Sequence, residues 1–362
     1  MTDKAKQYSQ IKYSLAIIDV VYLVALLLLF QGPGLSQKLA LNISEVVKPY
    51  LILPAYILVI SIAYYILDFP LNFYRSFILE HKFSLTHQKV HDWFKDQLKQ
   101  GIISYAIIII ILEAFYYILK HYSHIWWLII SLFWVFFSLI LTKLMPIVII
   151  PLFFKYKKLS DKSLRQRILY LAQKMKVKIL DVFEIDLSKK TQKANAAFVG
   201  IGKTKRVILA DTLKNKYSPD EIEVILAHEF AHYKLKHLLK LILVNSLATL
   251  LAFYFIFKTS DNILSLFGLS SLLDIAALPV IFMYLVIFGI VTQPLNNYIS
   301  RILERNADIL ALKTTGLKKA CILMLEKLAS QNLADRNPHP IIKFFFFDHP
   351  PIDERIATAD KT

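Results

Sequence analysis

The sequence predicts a mainly α-helical protein that crosses a membrane about six times and carries a small α+β subdomain outside the bilayer. Hydrophobic residues make up 56% of its 362 residues, and the mean hydropathy of +0.49 is too high for an ordinary soluble protein. Six apolar stretches are long enough to cross a bilayer. The stretch between the fourth and fifth is polar and alternates between helical and strand-like patterns.

The predicted spans are residues 15–30, 50–67, 102–119, 125–154, 238–257 and 275–300. A helix needs about 20 apolar residues to cross a bilayer. The fourth stretch exceeds one crossing, and Pro146 and Pro151 are expected to bend its end. These spans divide the chain into an N-terminal membrane region of four spans, an α+β subdomain that ends in a helix, two further spans, and a C-terminal helical region that is expected to fold back onto the subdomain. Their boundaries are 1–154, 155–237, 238–300 and 301–362.

The distribution of charge predicts the orientation. The net charge is +16, and Lys and Arg concentrate near the N-terminus, in residues 75–99, in 155–237 and in the C-terminal region. Positive loops remain in the cytoplasm, so both termini and the polar subdomain are expected there, on a prokaryotic cell membrane or a eukaryotic endoplasmic reticulum membrane. Membrane lipid is an expected partner. Nucleic acid is not, because no recognition motif accompanies the charge.

The subdomain is predicted from local patterns. Apolar spacing indicates a helix at 162–175, and apolar or β-branched runs indicate strands at 182–187, 194–199 and 207–210. Residues 200–204 resemble the end of a phosphate-binding loop. That loop requires a glycine where Ala197 stands, and a strand rather than a helix follows. A turn is therefore predicted here, without nucleotide binding.

The next helix carries the sequence H-E-F-A-H at residues 228–232. A serine N-cap, a proline at the first helical position and a glutamate that closes a capping box mark its start at Ser218. His228 and His232 are about 40° apart around this helix and project from one face. Two neutral imidazoles so placed can bind one zinc ion, and Glu229 can act as general base for an attacking water.

The third metal ligand must come from another part of the chain. Leu235 and Leu238 occupy the glycine and histidine positions of H-E-x-x-H-x-x-G-x-x-H, so that class of zinc peptidase is excluded. His237 follows His228 by nine residues. On a continuous helix this spacing turns it about 180° away from the metal.

Glu304 is the best candidate for the third ligand. His232 lies just before the fifth predicted span, and Glu304 lies just after the sixth, so both are expected at the same membrane face. Asp308 shares a helix face with Glu304 and can orient a histidine ligand. The alternative is that these acids are solvated charges after a span.

Further motifs follow a known order along the chain. Residues 193–200 resemble an N-A-x-F-x-G strand, 206–213 a strand followed by D-T-L, 300–308 a third-ligand motif, and 349–355 the motif H-P-P-x-x-E-R. Weaker matches lie at 68–70 and 151–153. From about residue 50 to its end, the chain resembles the type 1 CAAX prenyl endopeptidases, which are integral-membrane zinc metallopeptidases. The resemblance implies a helical-barrel-like chamber, smaller or differently completed here because eukaryotic members have seven spans.

The resemblance also implies roles for residues outside the metal set. Asn195 would hold the backbone of an extended substrate, and His349 would donate to the oxyanion. Arg355 is expected to brace that site together with Asp308. From spacing alone Asn195 and His349 look like turn residues, so only the resemblance gives them these roles.

The predicted function is a membrane-embedded endopeptidase with one Zn²⁺ that hydrolyses peptide bonds at the cytoplasmic membrane face. Its expected substrate is a prenylated or other membrane-associated C-terminal peptide. Alternatives are a quality-control protease that clears misfolded or stalled chains, or a non-catalytic chaperone with a structural zinc. Glu229 argues against the chaperone because a structural site needs no such base. A transporter ranks last, since no internal repeat or pair of broken helices is evident.

Overall fold

Long apolar helices dominate the computed structural model, which describes residues 3–200 and 205–362. Within these residues, six helices are long and apolar enough to cross a membrane: Lys4–Gln31, Pro49–Lys82, Val90–His121, Trp126–Phe153, His237–Leu266 and Ile275–Thr315. The six predicted spans are confirmed. Except for the fourth, the helices extend beyond the predicted boundaries because their polar flanks continue the helical backbone. Most of the predicted turn at 200–204 lies outside the described residues.

The described part of the N-terminal region contains seven α-helices. They are α1 (Asp3–Gln31), α2 (Leu35–Val46), α3 (Ile52–Phe73), α4 (Leu79–Lys82), α5 (Val90–His121), α6 (Trp126–Leu144) and α7 (Ile150–Phe153). Two of the long helices contain π-helical turns, at Tyr74–Ile78 and Met145–Ile149. A proline lies just before the first turn and another within the second, and each removes a backbone donor from the helical ladder.

The subdomain between the fourth and fifth spans is built on a small mixed sheet. Its elements are β1 (Tyr156–Lys158), α8 (Lys162–Lys174), β2 (Val182–Ile185), β3 (Ala196–Val199), β4 (Arg206–Ala210), α9 (Asp211–Lys214) and α10 (Pro219–Lys234). Among the described residues the strand order is β1-β2-β4-β3, with only β2 and β4 parallel. The predicted α8 and β2–β4 are confirmed. Sequence reasoning missed β1, whose two lysines give it no apolar alternation.

The C-terminal part crosses the membrane twice more and then folds back onto the subdomain. It comprises α11 (His237–Leu266), α12 (Leu278–Thr315), α13 (Lys318–Gln331), α14 (Pro340–Phe346) and α15 (Ile352–Lys361). The longest of these, α12, continues beyond its span until Gly316, whose φ of 70° ends it in the left-handed conformation.

Helices α10 and α12 meet through very small side chains. Ala227 and Ala231 of α10 are fully buried in one apolar cluster with Ala307 and Ala311 of α12. Small residues let two helix backbones approach closely. The carboxylates at positions 304 and 308 flank Ala307 on α12, so this contact brings them to the histidines of α10.

Candidate metal centre

The three predicted ligands meet where α10 and α12 cross. One ligand atom each from His228, His232 and Glu304 lies within 4.8 Å of the others, and no other group of this kind occurs in the described residues. The side chains of His228 and Glu304 are buried, at 11% and 8% exposed, and that of His232 is 26% exposed. The centre is therefore sheltered but open on the side of His232.

The donor atoms face one another as metal ligands do. Nε2 of His228 lies 3.1 Å from one carboxylate oxygen of Glu304, and Nε2 of His232 lies 3.2 Å from the other. The two Nε2 atoms are 3.0 Å apart. Two imidazoles and one carboxylate form a donor set typical of catalytic zinc, which retains one further coordination position. The residues present therefore fit a zinc ion.

A chain of polar contacts leads from His228 away from the centre. Its Nδ1 lies 2.8 Å from Oδ1 of Asp308, and Arg355 donates two hydrogen bonds to the same carboxylate, at 2.9 Å and 2.7 Å. Burial alone would lower the pKa of His228, but Asp308 and Glu304 at hydrogen-bonding distance outweigh it and raise the pKa to about 9. These carboxylates thus favour positive charge at the position that a bound cation would take.

His237 lies beside the centre, and the prediction that it faces away is wrong. The prediction assumed one continuous helix, but α10 ends at Lys234 and Lys236 adopts φ 56°, so the chain turns before α11 begins. His237 is buried, and its Nδ1 lies 3.0 Å from Nδ1 of His232. No glycine or proline marks this break. No sequence pattern therefore predicts this contact.

The predicted base, Glu229, is partly buried on α10 next to His228. Within residues 3–200 and 205–362 its carboxylate has no hydrogen-bond or ion-pair partner. A carboxylate that the protein leaves unpaired can accept a proton from water. The next residue along α10, Phe230, is fully buried and packs the helix against the core.

His349 reaches the centre from the C-terminal region. Its Nε2 lies 3.5 Å from Oε1 of Glu304, and its Nδ1 lies 2.8 Å from Oδ1 of Asp348. The hydrogen bond with Asp348, reinforced by Glu304, raises the pKa of His349 above its ordinary value. The side chain is 53% exposed, so it can contact both the centre and an incoming molecule.

Asn195 lies just before the edge strand. It was predicted on a strand covering 194–199, but β3 begins at Ala196, two residues after the predicted start. Its side chain is exposed, and its backbone carbonyl accepts a hydrogen bond of 3.1 Å from the amide of Ala210 on β4. On the same strand, Phe198 packs edge-to-face on Phe230 with ring centroids 5.5 Å apart, which places β3 against α10.

Comparisons with known proteins agree with this geometry. Peptidase family M48 matches residues 158–362. The CAAX prenyl protease N-terminal family, which comprises five membrane helices, matches residues 1–155. In the described part of that region four helices are long and apolar enough to cross a membrane.

Individual relatives resemble the chain over nearly its whole length. It is 31% identical to the uncharacterized metalloprotease YhfN of Bacillus subtilis, over 99% of this chain and 85% of that protein. It is 29% identical to CAAX prenyl protease 1 of Saccharomyces cerevisiae, over the same shares. The crystal structure of Ste24p from S. mikatae matches with a TM-score of 0.89 and 28% identity, covering 99% of this chain and 88% of that one.

These matches and the geometry of the centre concern the same residues. The M48 match includes both the helix with H-E-x-x-H and the helix that supplies Glu304. The other match covers the first four candidate spans. The chain therefore belongs to peptidase family M48 and is a multi-pass membrane metalloprotease.

Proposed function

We propose that this metalloprotease uses zinc to cut a prenylated or other membrane-associated C-terminal peptide at the cytoplasmic membrane face. The observation that carries the proposal is the position of the His-His-Glu group. His232 lies five residues before α11, and Glu304 lies eleven residues before the end of α12, the two helices that form the last candidate spans. A peptide held close to a bilayer can reach a centre so placed.

The chain's own residues supply the proton transfers. When bound, zinc supplies Lewis-acid chemistry that activates water and polarises the scissile carbonyl. Glu229 accepts the proton of the attacking water and delivers it to the leaving amine. Its lack of a partner among the described residues supports this role, since a paired carboxylate would be a weaker base.

The free edge of β3 can bind the substrate backbone. No strand pairs with the outer edge of β3 in the described part of the chain. The carbonyl of Asn195 bonds to β4, and backbone groups alternate in direction along an antiparallel strand, so those of Ala196 and Phe198 point to the free edge. An extended peptide can add there as a further strand, and the exposed amide of Asn195 can hold its backbone.

His349 can stabilise the reaction at the other side of the centre. Its Nε2 faces Glu304, where the oxygen of the scissile carbonyl would gather negative charge. A donor so placed is commonly worth about 3–4 kcal/mol in the transition state. Arg355 contributes indirectly, because its two hydrogen bonds hold Asp308 against His228.

The proposed orientation can be tested by cysteine labelling. The natural Cys321 is buried, so a new surface cysteine can be labelled selectively. Lys48 and Lys178 are both exposed and lie on opposite sides in the proposed topology. In intact cells, a membrane-impermeant maleimide should label Lys48→Cys but not Lys178→Cys, and cell lysis should make both accessible. The reverse pattern would contradict a cytoplasmic centre.

The substrate class can be identified with an inactive variant. Glu229→Gln should retain bound substrate, so proteins cross-linked to it in native membranes can be identified by mass spectrometry, with a Glu229→Gln/His228→Ala variant as control. Enrichment of C-terminally lipidated or membrane-associated peptides supports the proposal. Enrichment of misfolded membrane proteins alone would indicate a quality-control protease instead. The purified wild type should cut the captured peptides, which a non-catalytic chaperone would not do.

A further inference from the structure

The segment that carries His349 has no regular structure of its own. Helix α14 ends at Phe346, and α15 begins at Ile352. Apart from Asp348, its neighbour in sequence, and Glu304 at 3.5 Å, the imidazole of His349 has no polar partner among the described residues. The distance between His349 and the metal centre therefore depends on what fixes the backbone just before it.

Two side chains of α12 hold that backbone. Arg301 donates from one guanidinium nitrogen to the carbonyls of Phe347, at 2.6 Å, and Lys343, at 3.1 Å. One turn earlier, Asn297 donates to the carbonyl of Phe345 at 2.7 Å. These carbonyls belong to the end of α14 and the residue after it, where a helix leaves carbonyls without intrahelical partners. That of Lys343 also accepts from the amide of Phe347 at 3.3 Å. The contacts join the segment to α12 just before it reaches His349.

Arg301 is a buried charge, unlike the solvated charges that only keep a protein soluble. The residue is 8% exposed, and within the described residues no carboxylate lies within ion-pair distance of it. Burying a guanidinium without a counter-charge is costly unless its hydrogen bonds are well made. Arg305, one turn later on α12, offers a contrast, because its side chain is 50% exposed and lies 3.8 Å from Glu354.

We propose that Arg301 is a positioning residue that fixes His349 relative to the metal ligand Glu304. Arg301 and Glu304 are three residues apart on one rigid helix, which is about 4.5 Å along its axis. The same helix thus supplies a metal ligand and fixes the carbonyl two residues before His349. Arg301 acts only through His349 and does not touch the substrate. The inference rests on the role proposed above for His349.

A double-mutant cycle tests this coupling. The variants are Arg301→Gln, His349→Ala and the pair, each with zinc content and peptide hydrolysis measured. His349→Ala should lower kcat about 100-fold or more, as loss of an oxyanion donor does. Arg301→Gln should lower kcat at least about tenfold with KM within twofold and zinc content unchanged, a pattern that marks loss of a transition-state interaction. The double variant should be no slower than His349→Ala.

Further variants make the result decisive. Arg305→Gln, a matched arginine outside the contact, should keep wild-type kcat. Arg301→Lys should recover part of the loss, because an ammonium can still donate to a carbonyl. If Arg301→Gln does not fold with zinc, Asn297→Ala combined with His349→Ala provides the same test.

The outcomes distinguish the role of Arg301 from the role of His349. Multiplicative losses in the double variant would overturn the positioning role of Arg301 and leave the role of His349 intact. Wild-type kcat in His349→Ala would instead contradict the role of His349 itself, and with it the inference. A loss confined to KM, or one that follows zinc content, would also overturn the inference, since either shows that Arg301 does not act through a transition-state contact.

Discussion

The Nδ1 atoms of His232 and His237 lie 3.0 Å apart across the break between α10 and α11. When Nε2 of His232 binds a metal ion beside Glu304, its Nδ1 carries the proton and donates to His237. Both histidine ligands thus have a partner on the far nitrogen, since Asp308 serves His228 in the same way. Such partners fix the orientation and the tautomer of a metal-binding imidazole.

The contact between the two histidines predicts that His237 supports metal affinity. His237→Phe keeps an aromatic ring but removes the acceptor for Nδ1 of His232. Zinc affinity should fall about 10–100-fold, as for loss of other partners of metal ligands, and competition with a chelator measures this. His237→Gln keeps an acceptor and should recover part of the affinity. Equal affinity in the wild type and His237→Phe would contradict the orienting role.

Glu229 is expected to be essential for turnover but not for metal binding. Glu229→Gln preserves the shape of the side chain and removes the basic carboxylate. Glu229 does not belong to the group of three metal ligands. The purified variant should retain its zinc while peptide hydrolysis falls by at least about 100-fold, the scale of general-base catalysis. Metal analysis and steady-state kinetics on one preparation test both statements. Unchanged turnover would reject Glu229 as the base.

Asp308 should affect both affinity and stability. Asp308→Asn removes the carboxylate that faces His228 and leaves the guanidinium of Arg355 buried without its partner. Breaking one side of a buried pair costs about 3–5 kcal/mol, and zinc affinity should fall about 10–100-fold. Thermal unfolding and chelator competition measure the two effects.

A second substitution separates these two effects of Asp308. Adding Arg355→Met to Asp308→Asn removes the unpaired charge, so much of the stability should return. The affinity should stay low, because the partner of His228 is still missing. Recovery of both quantities together would show that Asp308 acts on the metal only through folding.

The sequence contained enough information for the fold class and the metal ligands because both follow from local rules. Hydropathy alone identified six spans, and helical spacing alone placed His228 and His232 on one face. Glu304 followed from topology, since successive spans return to the same membrane face. The capping box at Ser218 was also local, and the structure forms it as predicted.

The parts that could not be predicted depend on where the backbone departs from regularity. His237 reaches His232 only because Lys236 adopts a left-handed conformation without a glycine. Arg301 contacts Phe347, 46 residues away along the chain, and no spacing rule connects residues so distant. The strand β1 was missed because pairing with β2, rather than its own composition, makes it a strand.

Asp181 should make the stability of the subdomain depend on acid pH. Its Oδ1 accepts 2.8 Å hydrogen bonds from Arg165 on α8 and from the amide of Val182 on β2. The hydrogen bond from Arg165 holds the pKa of Asp181 below its ordinary value. A carboxyl with a lowered folded pKa stabilises the fold fully above its unfolded pKa of about 3.9, and this contribution disappears as the pH falls through the folded pKa.

This behaviour can be measured with one substitution. At pH 7, Asp181→Asn should unfold at a lower temperature than the wild type, at a cost of about 1–3 kcal/mol for the lost charged hydrogen bonds. The difference should narrow as the pH falls below about 4, where the wild-type carboxyl also becomes neutral. Lys162→Gln, at an exposed position of α8, the helix that carries Arg165, serves as the control. A difference independent of pH would contradict the ion-pair explanation.

The free edge of β3 predicts a backbone substitution that impairs substrate binding without breaking the sheet. The amide of Ala196 points away from β4, whereas that of Ala197 points toward it in the alternating ladder. Ala196→Pro should therefore keep the sheet, because proline is tolerated where an edge strand donates no ladder hydrogen bond. It should lower kcat/KM at least about tenfold for peptides long enough to pair with β3. For a minimal substrate that does not reach the strand, the change should stay within twofold.

Ala197→Pro removes a ladder donor and should destabilise the whole subdomain, which thermal unfolding detects. Equal kcat/KM losses on long and minimal substrates in Ala196→Pro would show that the free edge does not bind the substrate backbone.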